Sequence, residues 1–86
     1  MYRVIFVRKA VKELKKIDAI WQRRIKERIE LLAENPAVLK PNIKKLKGRY
    51  NKFARLRVGN YRIIFKIIEK ELVILIIRIA HRKEAY

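Results

Sequence analysis

Polar and apolar positions along this chain follow two rhythms, one of period two and one of period three to four. Residues 2–7 (Tyr-Arg-Val-Ile-Phe-Val) alternate and suit a short strand. A helical spacing follows. Ala10, Val11, Leu14 and Ile17 fall on one face, with Lys12, Lys15 and Lys16 on the other. Asp18 is placed to cap a second helix, because its carboxylate can accept from the free N–H groups of a helix start. In that helix Trp21, Ile25, Ile29 and Leu32 recur at helical spacing, while Arg23, Arg24, Lys26 and Glu27 lie away from them. Asn35-Pro36 ends it, since a residue before proline avoids the helical region. So short a connection predicts an antiparallel helix hairpin.

Residues 36–47 read as a loop toward the sheet. After Gly48 the period is two. Residues 53–58 form a predicted strand, Gly59-Asn60 a tight turn, 61–68 a second strand, 69–71 another reversal and 72–80 a third strand. This last strand is apolar nearly throughout, as a central, doubly covered strand would be. The order β-α-α-β-β-β predicts an α+β fold. Residues 1–86 form one domain whose helix hairpin packs on one face of a mainly antiparallel sheet.

The tight turn sets a register. With two loop residues, Val58 faces Tyr61, Arg57 faces Arg62, Leu56 faces Ile63, Arg55 faces Ile64 and Phe53 faces Lys66. Alternation then puts Ala54, Leu56, Val58, Tyr61, Ile63 and Phe65 on a core face. Phe53, Arg55, Arg57, Arg62, Ile64 and Lys66 share the opposite face, an electropositive floor. Two arginines directly across a ladder repel and destabilise it. A sequence selected only to fold would avoid that pair. Arg78 joins Arg62 if the reversal at 69–71 uses three residues and turns to the core if it uses two.

Charge sharpens this picture. Lys and Arg number 24 against 8 Asp and Glu, a net charge of +16. That repulsion opposes compactness in a domain so small, and a polyanionic partner would relieve it. Nucleic acid, an anionic membrane and an acidic protein all qualify. A basic surface kept only for solubility is the bland alternative, but solubility is served as well by mixed signs. No acidic residue stands between Arg49 and Arg62. Arginine suits phosphate, because its planar guanidinium binds two oxygens at once. There is no Cys, which excludes disulfides and thiolate metal sites and fits a reducing cytoplasm. No apolar signal region follows Met1. The longest apolar run, residues 72–77, falls far short of the ~20 residues a bilayer needs. A cytoplasmic protein with no membrane partner is expected.

The remaining chemistry sits at the end of the chain. His81, Arg82, Lys83 and Tyr86 cluster there, and His81 is the sole histidine. Asp18 is the sole aspartate, and the glutamates lie mostly on the helices, which leaves no paired carboxylates for a two-metal site. Phosphodiester chemistry would then be metal-free and would need RNA, whose own 2′-hydroxyl can attack phosphorus. Arginines would neutralise the phosphoryl oxygens, and an aromatic such as Tyr86 would stack on a base.

Three segments resemble the RelE/ParE toxin superfamily: Lys45-Leu46-Lys47-Gly48, residues 53–65 (FARLRVGNYRIIF) and residues 79–86 (IAHRKEAY). With the strand and helix pair before them, the resemblance spans nearly the whole chain. It implies a fold like that of small microbial ribonucleases. It also implies a toxin that cleaves mRNA in the ribosomal A site without cofactor, and an acidic RelB-type antitoxin as partner. Carried over by position, Arg55, Arg62 and Arg82 match basic active-site residues, and Tyr86 matches a base-stacking tyrosine. His81 joins them as a catalytic candidate. Lys47, Lys52, Arg57, Lys66 and Lys83 are the expected RNA-binding residues. Some members carry a lysine general base where Phe53 stands here, and Arg55 stands where others have lysine. Arginine stays protonated and makes a poor base, so Lys47, Lys52 and His81 stay open as bases. The tail to Tyr86 is shorter than the C-terminal helix of some members. A gyrase-inhibiting toxin of the ParE type, a non-catalytic RNA- or ribosome-binding protein, and a membrane-surface role for the basic second helix are the alternatives.

Overall fold

The first strand, β1 (Arg3–Phe6), runs straight into α1 (Arg8–Lys15), and a short link leads to α2 (Ala19–Glu34). These come from a computed structural model that describes residues 1–48 and 52–83. Asp18 occupies the N-cap position of α2 as expected, but its side chain makes no capping bond. The junction is fastened instead by Gln22, whose amide donates to the Ile17 carbonyl at 2.7 Å. It thereby satisfies an acceptor that the end of α1 would leave without a helical partner.

Residues 36–47, expected to be a loop, contain a 3-10 turn (Pro36–Asn42) and a further strand, β2 (Ile43–Lys45). The strand exists because Ile43, Lys44 and Lys45 pair antiparallel with Leu56, Arg55 and Ala54. Such a short run is made a strand by its neighbour and carries no periodicity of its own. The hairpin of β3 (Ala54–Val58) and β4 (Tyr61–Ile68) follows, and β5 (Val73–His81) closes the sheet. The strand order is β1-β5-β4-β3-β2, antiparallel throughout except for the parallel β1–β5 pair. The α+β architecture and mainly antiparallel sheet are as expected, with five strands in place of four. β5 lies inside the sheet only along Val73–Ile76, where β1 covers it.

The β3–β4 register matches the expected one pair for pair, from Val58 opposite Tyr61 to Ala54 opposite Phe65. Gly59 takes a left-handed φ of 58° at the first turn position, as a turn of the II′ kind requires. The next reversal differs. Residues 69–71 form a 3-10 turn, Leu72 is left-handed with φ 53°, and Ile68 pairs with Val73. Four residues therefore lie between the paired ends, and that even count alone would turn Arg78 beneath the helices. A register shift prevents it: Phe65 pairs with Ile76 but Ile64 pairs with Arg78, so Ile77 is the extra residue and Arg78 returns to the face of Arg62.

Both helices feed one core. Ala10 and Leu14 of α1 and Ile25, Ile29, Leu32 and Ala33 of α2 pack with Leu39 and with Leu56, Val58, Ile63, Phe65, Ile74, Ile76 and Ile79 of the sheet. The β3 and β4 residues among them, Leu56, Val58, Ile63 and Phe65, are ones the alternation assigned to the core face. Each fully buried aliphatic side chain contributes roughly 1.5–3 kcal/mol relative to exposure. No helix is long and apolar enough to cross a membrane among the described residues.

Candidate nucleic-acid interface

On the sheet face turned away from the helices, the ladders set basic residues side by side across strands. Lys44 of β2 is opposite Arg55 of β3, which is opposite Ile64 of β4, which is opposite Arg78 of β5. Along the next outward-facing row Arg57 is opposite Arg62, and Arg62 opposite Ala80. Beneath these charges lies an apolar floor. Ile64 is 8% exposed and Ala80 5%, although both point away from the helices. Arginine neighbours across the ladder suit such a floor, since their stems can cover apolar surface while the heads stay in water.

The heads converge. A cleft of about 310 Å³ is lined by Pro41, Asn42, Ile43, Lys44, Arg55, Arg57 and Arg62. Among the described residues no carboxylate lies within 4 Å of Arg57 or Arg62; the ion pair there is Arg78–Glu13 at 2.8 Å. Arg78 is thus drawn to the strand edge. Glu13 holds it with one oxygen, and with the other accepts the Ile79 N–H at 2.9 Å. That donor lies where β1 no longer covers β5, so the carboxylate closes an open sheet edge.

The other expected site residues are distributed unevenly. Lys66 shares the outer face and pairs with Leu75, further along β4. Lys47 and Lys52 are exposed where the chain passes from β2 to β3, above a Leu46 N–H to Phe53 carbonyl bond of 3.1 Å. Arg82 follows β5, and its N–H donates to the Asn60 carbonyl at 2.7 Å, which keeps it at the Arg57–Arg62 end of the sheet. Lys83 is exposed beside it. His81 is not brought to the cleft. It pairs with Tyr61 on the helix side of the sheet, where the rings meet edge to face at 5.4 Å, and its Nδ1 accepts the Lys83 N–H at 3.3 Å. The whole sheet thus separates it from Arg55 and Arg62. Tyr86 lies outside the described residues. Lys44 was missed because its strand was read as a loop; the step from apolar Ile43 to Lys44 was the available signal. Among the described residues no three His, Cys, Asp or Glu side chains form a metal cluster.

A floor of guanidinium groups in a polar cleft can hold phosphate and neutralise charge that develops on it. Comparisons with known proteins identify the family and the fold. The family model for the ParE toxin of type II toxin–antitoxin systems matches residues 4–86. Toxin RelE3 of Methanocaldococcus jannaschii is 38% identical over 86 residues, covering 98% of this chain and 94% of that protein. The chain is a toxin of the RelE/ParE superfamily. Among solved structures, the archaeal RelE–RelB complex of Pyrococcus horikoshii has a RelE/ParE chain 30% identical, with a TM-score of 0.80 and 98% of each chain covered. The RelB–RelE complex of Methanococcus jannaschii is 35% identical, with a TM-score of 0.74, covering 92% of this chain and 91% of that one. The isolated Escherichia coli RelE toxin, at 22% identity and a TM-score of 0.77 over 94% of this chain and 84% of that one, shares the fold. The RelE/ParE membership and the fold expected from the three sequence segments are therefore established.

Proposed function

We propose that this RelE/ParE toxin is a ribosome-dependent, metal-independent endoribonuclease that cuts mRNA in the A site. The observation that carries the reading is the convergence of Arg55, Arg57 and Arg62 on one cleft. A like-charged pair held across a ladder costs folding stability, and a bound phosphate turns that cost into affinity. In the proposed reaction the 2′-hydroxyl attacks the adjacent phosphorus and loses its proton, and the 5′-oxygen leaves and takes one up. Arg55 and Arg62 neutralise the phosphoryl oxygens as charge builds on them, and Arg57 holds the strand. Arg82 and Tyr86 are proposed to complete the site from the chain's end. Lys47 and Lys52 remain the candidate bases, and the position of His81 gives it a packing role. The partner is proposed to be an acidic RelB-type antitoxin. The Pyrococcus horikoshii and Methanococcus jannaschii relatives were solved with RelB, and a charge of +16 favours an acidic cover.

Primer extension on mRNA in a translating extract tests this. The toxin is expected to produce discrete cuts, and Arg62→Ala to lower the cleavage rate by about 10²–10³-fold, the cost of removing one preorganised oxyanion donor. Full activity of that variant would refute the site. The matching ParE family model favours one second reading, a gyrase inhibitor. Intact mRNA together with DNA breaks on induction would select it. Ribosome binding with neither effect would select a non-catalytic binder.

A further inference from the structure

The arginine cleft does not end at the sheet. A second cleft, of about 430 Å³, lies between α2 and the far end of β3 and is lined by Trp21, Arg24, Arg28, Asn42 and Arg57 among others. Asn42 and Arg57 line both clefts. The two meet where β2 has ended, because β2 pairs only as far as Leu56 and leaves Arg57 on an open edge. Sequence periodicity placed Arg24 away from the apolar stripe of α2, and Arg28 was not singled out at all.

Their surroundings single out both. Trp21 is wedged over the hairpin: a Cβ on Gly59 would fall 2.3 Å from its ring. Tyr61 packs on it at 5.7 Å, and the Arg24 guanidinium lies over its face at 5.0 Å. A guanidinium held on a fixed indole loses little freedom when it binds an anion. Among the described residues neither Arg24 nor Arg28 has a carboxylate within 4 Å. Glu27 also lines this cleft, so three cations face one carboxylate. An acidic protein would need apolar anchors here, and the one aromatic is already covered by Arg24 and Tyr61.

We infer that the Arg24–Arg28–Arg57 cleft is a second phosphate-binding subsite, which holds the single-stranded RNA flanking the cleavage position as it leaves the arginine floor. The inference rests on the proposed ribonuclease reading and extends the RNA path from the sheet face, around the β3 edge, onto α2. Its contribution is to binding and not to the chemical step.

The test compares wild type, the double variant Arg24→Gln/Arg28→Gln, and Arg62→Gln. Glutamine keeps helix propensity close to that of arginine, and circular dichroism checks the fold. Fluorescence anisotropy follows binding of uncleavable 2′-O-methyl RNA of about 12 and about 3 nucleotides across a salt series, one length within the range of typical single-strand sites and one below it. Each phosphate contact adds about 0.7 to the slope of log affinity against log salt. The double variant is expected to lose about 1.4 in slope on the long RNA and nothing on the short one, while Arg62→Gln weakens both. If the double variant matches wild type on the long RNA while Arg62→Gln weakens both, the second subsite is wrong and the ribonuclease reading stands. If Arg62→Gln changes neither, the arginine floor itself fails and takes the subsite with it. If the double variant instead loses binding to poly-glutamate and keeps RNA, the cleft belongs to an acidic protein and the inference is overturned.

Discussion

Glu13 has two jobs at one carboxylate. Oε2 pairs with Arg78 and Oε1 accepts the Ile79 N–H. Replacing Glu13 by Ala removes both and leaves a strand donor on a sheet edge, so a loss of about 1–3 kcal/mol is expected in urea unfolding. Glu13→Gln keeps an acceptor for Ile79 and should lose less. Equal losses would show that the ion pair alone matters. Tyr2 offers a pH-dependent counterpart. Its phenol donates to Glu69 Oε2 at 2.8 Å, and that bond, with lesser help from desolvation and the Glu69 charge, holds its pKa above 10.0. A raised folded pKa means that the contribution is present below pH 10.0 and is lost as pH rises through the folded value. The stability difference between wild type and Tyr2→Phe should therefore shrink on alkaline titration. A difference that stays constant to strongly alkaline pH would show that the phenol proton plays no part. At this scale legibility was uneven. Arg55 and Arg62 could be placed because one turn controls them. Asp18 was the right residue in the right position with no bond to show for it. His81 could not be placed, since its face depends on the register shift between Ile64 and Phe65.

At the scale of elements, the β3–β4 hairpin was legible because a glycine at a turn and strict alternation leave one register. β2 was not, because three residues next to a 3-10 turn carry no period. The extra residue of β5 was equally hidden, for Ile77 is one more isoleucine in an apolar run. The hairpin also depends on a contact that no pattern shows, the Trp21 ring against Gly59. Gly59→Ala meets both a left-handed φ, costing about 1 kcal/mol, and the indole. In a Trp21→Ala background only the first cost remains. A double-mutant cycle should therefore give a coupling of about 0.5–3 kcal/mol, the range for residues in contact. Zero coupling would show that Trp21 moves aside freely.

For the whole molecule, the net charge of +16 is a standing load. Lys44, Arg55, Arg57 and Arg62 line one cleft, and Arg24 and Arg28 lie in the next. At 0.1 M salt the screening length is about 10 Å, and at 1 M about 3 Å. Thermal stability of the isolated toxin should rise over that range, by several degrees per ~1 kcal/mol gained for a domain this small, while affinity for RNA falls. Stability that instead declines with salt would mean that attractive pairs outweigh repulsion. The same charge that would attract a polyanion therefore makes the unbound protein less stable, and an acidic partner should raise its melting temperature.

The parallel pair between β1 and β5 has a temporal meaning. Arg3 of β1 finds its partner in Val73, far along the chain. During synthesis β1 has nothing to join until β5 has been made, and such distant pairings form late. A chain stalled before Val73 lacks β5, the strand through which β1 and β4 are joined. Until β5 has been made, the strand that carries Arg62 has a partner on one side only, so the arginine floor is among the last parts to be assembled.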